Sequence, residues 1–404
     1  MPVREIMTLK QASEPRFRFA KRTEIPANPI VVIEDRVHEM LAKGENVILF
    51  HAGDVGYDTP QFIKDAAYDS LNNGYTHYAP SSGYPEFKAA LVQKLAERNG
   101  MNVEPSEIAV TQSGTYGIYT SILALVDPGD EMLLLDPCYP AYEICVRMAG
   151  GVPVFIPTNE EGEWKATSSE IESRVTPRTK GIMINFPNNP TGEVLSKEEL
   201  ESIAEIAKKH NLFVISDESY ETVIFDGRKH HSIASLPGMK ERTATLFSFS
   251  KTYAMTGWRL GYTVGPDAFI EHANVIHETV LAHVTSHCQM AGLAALKGSQ
   301  DFTSEMTRGL DARRRLLVEG LNSIRGISCK MPKGAFYCFP SIKKTGMSSQ
   351  QFAEHLVLKG KVCVTPGTAF GKCGEGYVRF AYSKSNMEEI GMGLERMATV
   401  FGKK

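Results

Sequence analysis

No apolar stretch in this chain of 404 residues approaches the roughly 18 residues a membrane span needs; runs such as Met132 to Leu135 are far shorter. The opening MPVREIMTLKQ lacks the apolar core of a secretory leader. Seven cysteines, an odd number, include no C-x-x-C pair, so neither a disulfide framework nor a zinc ribbon is expected, and a reducing cytoplasm suits the chain best. A net charge of -3, a pI near 6.4 and the lack of any long basic run give no electrostatic footprint for nucleic acid. There is no G-x-x-x-x-G-K-[ST] and no strand-linked G-x-G-x-x-G, so nucleotide binding has no support. His283 and His287 are spaced for one helix face, but the segment lacks a zinc-protease glutamate and a third ligand, so no metal is expected. His230-His231 reads as a solvated loop.

What is present is the composition of a large soluble enzyme, 42% hydrophobic and 23% charged. Short apolar runs alternate with longer amphipathic ones, which predicts an α/β fold with a mostly parallel central sheet. The expected strands are Ile108–Thr111, Glu131–Asp136, Val152–Ile156, Gly181–Asn185, Phe213–Asp217 and Thr245–Ser248. Helices are expected over Tyr116–Val126, Tyr139–Ala149 and Ser196–His210, the last opened by a Ser196/Glu199 capping box. From about Phe302 the pattern becomes a charged helix followed by mixed strands and helices. The expected division is an N-terminal arm over 1–30, a large domain over 56–300, and a smaller α+β domain from 31–55 and 301–404.

The most informative segment is Ser248-Phe249-Ser250-Lys251-Thr252-Tyr253-Ala254-Met255-Thr256-Gly257-Trp258-Arg259. A lysine partly desolvated near another cation loses its proton and becomes a nucleophilic amine. Serines and an arginine beside it suit a phosphate, and an aldehyde carrying a phosphate is pyridoxal phosphate. The bland alternative is a surface lysine in a polar loop. In open α/β sheets ligands bind beyond the carboxyl ends of strands, so residues placed there matter. Ser113-Gly114-Thr115 opens a helix and offers free N–H groups to a phosphate, or is an ordinary N-cap. Pro187-Asn188-Asn189-Pro190-Thr191-Gly192 aims Asn189 inward, or is a plain turn. Asp217 can pair with a protonated pyridine nitrogen and Tyr220 can hydrogen-bond a ring oxygen; an Asp capping a following helix is the competing explanation.

Taken in this order, Asn189-Pro190-Thr191-Gly192, the Asp217/Tyr220 pair and the Ser248–Arg259 segment resemble a fold-type I, class I/II aminotransferase, over most of the chain from about Val31. The resemblance implies pyridoxal 5′-phosphate as cofactor, with Lys251 taking its aldehyde and later moving the proton between the substrate α-carbon and cofactor C4′. It implies that Asp217 holds the ring nitrogen protonated, that Tyr220 and Asn189 bond the ring oxygen, and that Tyr139 stacks on the ring. Ser113, Gly114, Thr115, Ser248 and Arg259 are implied to hold the phosphate. Tyr78, in Tyr78-Ala79-Pro80, matches a tyrosine that reaches the phosphate of a partner subunit, implying a homodimer with shared active sites. Arg379 and the backbone of Gly53 are implied to hold the substrate α-carboxylate, as is Asn189 to contact the substrate.

The activity so implied moves an amino group from an L-amino acid to a 2-oxo acid by a ping-pong cycle, the donor left open among aspartate, alanine and an aromatic amino acid. A C–S lyase or cyclopropane-forming synthase of the same fold shares the lysine, aspartate and arginine, but the intact Asn-Pro-Thr-Gly favours transamination. A cofactor-binding regulator usually carries a DNA-binding helix-turn-helix, for which little room is expected with the catalytic-type fold beginning near Val31. One dicarboxylate-specific branch has a lysine where this sequence has Thr115, which weakens an aspartate-only reading; the expectation is either that an arginine such as Arg16 or Arg18 folds over the site as the cation, or that Tyr57 and Tyr116 instead line a pocket for an apolar or aromatic side chain.

Overall fold

The computed structural model describes residues 17–24 and 29–404, so Arg16 and most of the expected N-terminal arm lie outside the described residues. The first strand, β1 (Ile48–Leu49), is short. The main sheet follows as β2 (Ile108–Thr111), β3 (Glu131–Asp136), β4 (Val152–Pro157), β5 (Thr179–Asn185), β6 (Phe213–Asp217), β7 (Thr243–Ser248) and β8 (Gly261–Val264), in the spatial order β2-β8-β7-β6-β5-β3-β4. Contacts from β7 through β4 are parallel, whereas β8 runs antiparallel to both β2 and β7. Every residue of β2 and β3 is buried, as expected where helices cover both sheet faces.

Helices Gly114–Leu125, Ala141–Met148 and Lys197–Lys209 connect the strands. The last is opened as its sequence dictates: Glu199 N donates to Ser196 Oγ at 3.3 Å, and Ser196 N donates to the Glu199 carboxylate at 2.7 Å. Sequence periodicity missed β8, a four-residue strand close behind the lysine segment. It also placed Tyr139 inside a helix, but the helix begins after Pro140 and leaves Tyr139 in the preceding loop.

Two histidine readings are corrected. One helix ends at Leu281 and the next begins at Ser286, so His283 and His287 do not share a helix face. His230 is not solvated: its side chain is 12% exposed and its Nε2 lies 2.7 Å from a Glu218 carboxylate oxygen.

The remaining strands are β9 (Tyr337–Cys338), β10 (Val362–Cys363), β11 (Thr365–Pro366) and β12 (Val378–Ala381). β1 pairs with β10 in parallel, and β11-β12-β9 form an antiparallel sheet. Helices Asp301–Asn322, Ser349–Gly360 and Met387–Phe401 contribute Leu310, Phe352 and Ile390 to a core shared with Ile48, Phe50 and Phe380. Tyr220, Val223 and Phe225, from the chain leaving β6, join that same core. The loop carrying Tyr220 is therefore held between the main sheet and this second packing unit.

Gly261 shows how tightly the sheet edge is built around the helix that follows β2. A Cβ there would stand 2.7 Å from Phe247 O and 2.9 Å from Gly114 N, both backbone atoms. Gly261→Ala is expected to lower unfolding free energy by about 1–3 kcal/mol, the usual result of overpacking a rigid site. Gly257→Ala, which adds its methyl to open space, should stay within about 0.5 kcal/mol. Thermal or urea unfolding of the two variants checks both values; equal stabilities contradict the account.

Candidate active site

Five strands of the main sheet end at one edge, and the segments just beyond them converge. Ser113 follows β2, Tyr139 follows β3, Asn189 follows β5, Asp217 and Tyr220 lie at and beyond the end of β6, and Lys251 follows β7. With Gly53, Gly114, Thr115, Ser248, Arg259 and Arg379, they line one cavity of about 310 Å³. Arg379 arrives from β12, outside the main sheet. Of the residues assigned from sequence to the cofactor and the α-carboxylate, Tyr78 alone is not on this wall: it is 90% exposed, its ring edge-on to His283 at 5.6 Å.

Lys251 Nζ donates to Gly53 O at 2.5 Å. Burial, helped by the cations Arg259 and Arg379 and opposed by Asp54, brings its amine down from 10.5 to about 8. A bland surface lysine would show neither the contact nor the shift.

Asp217 is 6% exposed and caps no helix. Its carboxylate accepts from Ser219 N at 3.0 Å, Ser219 Oγ at 2.7 Å and Tyr142 OH at 2.7 Å. Burial still raises its carboxyl above the ordinary value, because these hydrogen bonds only partly offset the desolvation of the anion. Among the described residues it has no ion pair.

Arg379 is 1% exposed and likewise has no carboxylate partner among the described residues. Its Nη2 donates to His51 O at 2.5 Å and its Nη1 to Asn189 Oδ1 at 2.9 Å. Tyr337 and Phe370 flank the guanidinium, their ring centres 4.6 and 4.7 Å from Cζ. Its Nε is buried without a hydrogen-bond partner. A buried cation with a spare donor is a receptor for an anion.

Asn189 is fixed from two directions: its backbone N donates to Asn185 Oδ1 at 3.0 Å, and Asn185 Nδ2 donates to Asp217 O at 2.9 Å. One side-chain amide thus ties the ends of β5 and β6 together. Tyr220 OH and Tyr337 OH lie 2.7 Å apart. At the cavity wall, Ser113 caps the helix Gly114–Leu125, its Oγ accepting from Tyr116 N at 3.3 Å, and the N–H groups of Gly114 and Thr115 precede that bond in the first turn. Ser248, Ser250, Thr256 and Arg259 share this wall, and Arg259 Nη1 donates to Thr256 O at 2.8 Å.

Sequence reasoning missed Tyr142, Asn185, Ser219 and Tyr337. Tyr142 carried a signal, standing three positions after Tyr139; Tyr337 carried none, since it comes from a distant strand. The expected pocket walls Tyr57 and Tyr116 are not on this cavity. Tyr57 packs edge-on to Phe302, with Arg313 Cζ 4.8 Å from its ring centre, and Tyr116 packs against Tyr119 and His277.

Comparison with known proteins agrees with this geometry. The family model described as aminotransferase class I and II matches residues 45–397. An aspartate aminotransferase of Pyrococcus abyssi is 41% identical over 91% of this chain and 95% of its own length. The aromatic-amino-acid aminotransferase 2 of Thermococcus litoralis is 40% identical over 90% of this chain and 94% of its own. The solved aspartate aminotransferase of Thermus thermophilus with maleate superposes with a TM-score of 0.91 at 34% identity, covering 95% of this chain and 100% of that one.

In the cofactor-free protein, reaction of Lys251 with an added aldehyde should rise as pH passes through about 8. Asp54→Asn should move that midpoint lower, since the carboxylate that favours the ammonium is gone. Rate profiles of labelling, read by peptide mass, check this; a midpoint near the ordinary lysine value of about 10.4, unmoved by Asp54→Asn, contradicts it.

Proposed function

We propose, from the premise that this chain belongs to the class I and II aminotransferase family, that it moves the amino group of an aromatic L-amino acid to a 2-oxo acid with pyridoxal 5′-phosphate as cofactor. The observation that carries the assignment of roles is that one cavity holds two buried groups without an ion-pair partner among the described residues, Asp217 and Arg379, together with a depressed lysine amine. A cofactor with a cationic ring nitrogen answers the first, and a substrate carboxylate answers the second.

When bound, the cofactor supplies an aldehyde and a protonated ring that withdraws electrons from the substrate α-carbon. Asp217, oriented by Ser219 and Tyr142, holds the proton on the ring nitrogen. Tyr220 and Asn189 would donate to the cofactor's ring oxygen, and Tyr139 would pack on its ring. Ser113, Gly114, Thr115, Ser248 and Arg259 bind the phosphate through a helix N-terminus, hydroxyls and one guanidinium. Lys251 would hold the cofactor's aldehyde and, as a neutral amine, would be the base that moves the proton at the substrate α-carbon, a role that typically contributes about 10² to 10⁴-fold. Arg379 holds the α-carboxylate by its planar fork, assisted by Asn189 and the Gly53 backbone.

The charged residues of the cavity wall are Asp217, Lys251, Arg259 and Arg379, all occupied in these roles. No described cation on that wall remains for a second carboxylate, and Ile118, Tyr139, Tyr142 and Tyr337 give it apolar surface. This supports an aromatic donor over aspartate and alanine. Aspartate is the second reading, supported by the named activity of the Pyrococcus relative. Tyr78, exposed and off the cavity, supports a homodimer in which it reaches the partner subunit's phosphate. A large domain over 56–300, a small one from 31–55 and 301–404, and a cytoplasmic setting complete the reading.

A panel of aromatic, acidic and small aliphatic donors against pyruvate, 2-oxoglutarate and oxaloacetate, followed by the cofactor spectrum, tests the donor. The expected result is the highest kcat/KM with an aromatic donor; a preference for aspartate overturns that choice. Arg379→Lys should raise KM for every donor by roughly tenfold to a hundredfold, the equivalent of about 1.5–3 kcal/mol for a charge-assisted hydrogen bond. Unchanged KM would remove Arg379 from the carboxylate.

A further inference from the structure

The chain leaving β6 has two sides. Asp217, Ser219 and Tyr220 line the cavity, whereas Glu218 and Glu221 do not. Glu218 is 1% exposed, and both of its oxygens are engaged: Oε1 accepts from Ser216 Oγ at 3.0 Å and Ser232 Oγ at 2.8 Å, and Oε2 lies 2.7 Å from His230 Nε2. Glu221 accepts from Lys94 Nζ at 2.5 Å and from Asn99 Nδ2 at 2.7 Å. Lys94 Nζ stands 4.2 Å from the Phe247 ring centre on β7. Two carboxylates and one ammonium therefore share a largely buried cluster, and an imidazolium at His230 makes it neutral.

We propose that protonated His230, paired with Glu218, is a positioning group for Asp217 and so for the nitrogen of the bound cofactor. This rests on the cofactor reading given above and assigns it a support outside the cavity. The backbone leaves little slack, since Glu218 N donates to Leu246 O of β7 at 2.9 Å. Any movement of the Glu218 side chain or of its charge is felt by the adjoining Asp217. An unneutralised Glu218 also disfavours the ionised form of Asp217, which Glu218 already pushes toward protonation. His230 prevents this without entering the cavity.

The groups facing His230 are Glu218 and Glu221 from its loop neighbour and Lys94 from the helix Pro85–Lys94. Burial alone would lower the imidazole, but the two carboxylates outweigh it and raise it above 6.5. Its contribution to stability is then complete below pH 6.5 and is lost as pH rises through the higher folded-state value. By reciprocity, if protonation of His230 favours cofactor binding, cofactor binding must favour protonation of His230.

The test compares wild type, His230→Gln and the double variant Glu218→Gln/His230→Gln. The single variant keeps a donor for Glu218 but leaves the cluster one negative charge in excess; the double variant restores neutrality. His230→Gln should weaken pyridoxal phosphate binding by about tenfold, and the double variant should return to within about twofold of wild type. In the wild-type protein, the His230 imidazole followed by NMR should titrate about one pH unit lower after the cofactor is removed, the equivalent of that tenfold. Unchanged cofactor affinity in His230→Gln, even with a lower melting temperature, overturns the proposal, and so does one titration midpoint shared by both forms. If wild type itself takes up no pyridoxal phosphate, the parent reading falls too; normal uptake by wild type and variants alike removes only the role of His230.

Discussion

Two opposite charges lie in one cavity without neutralising each other, and the rest of the site is organised by keeping them so. Asp217 and Arg379 are both almost wholly buried, and a direct ion pair between them would relieve a cost of several kcal/mol per ion. Instead Asp217 is held by Tyr142 and Ser219, and Arg379 by His51 O and Asn189. Each charge is therefore left for an outside partner. The fold stores electrostatic energy here that only ligands release, which is how a preorganised site obtains both affinity and orientation.

Separation is enforced by the architecture. Asp217 is fixed to the end of β6, in the middle of the main sheet, while Arg379 is on β12 in the second packing unit. Between them, Asn189 touches both sides: its backbone is tied to Asn185, which bonds Asp217 O, and its side chain accepts from Arg379. Tyr220 and Tyr337 make the same bridge with a hydroxyl pair. Lys251, tethered to Gly53 O, then sits among groups whose net effect is to favour its neutral amine.

Much of this was legible in the sequence because parallel sheets concentrate function just past strand ends, and strands with both faces buried read as apolar runs. β3 and β6 were found to the residue, and Lys251, Asp217, Asn189, Tyr220 and Arg379 fall on one wall. What sequence hid has a physical cause in each case. β8 begins two positions after Arg259, so no turn sets its apolar run apart from the lysine segment. Tyr337 and Tyr142 act through hydroxyls that meet their partners only in the fold. Tyr57 and Tyr116 were expected on the pocket because aromatics near a site are natural walls, yet both are half-buried with their rings packed edge-on against other side chains. His230 looked solvated because a polar His-His pair in a loop gives no sign of a buried carboxylate twelve positions earlier.

The central claim is that Lys251 is the residue that takes the cofactor's aldehyde. Reducing the protein with borohydride after loading it with pyridoxal phosphate, then mapping the modified peptide by mass spectrometry, measures it directly. The account predicts a single stoichiometric adduct on Lys251, and none in Lys251→Ala. An adduct on another lysine in the wild-type protein, or no adduct at all, contradicts it.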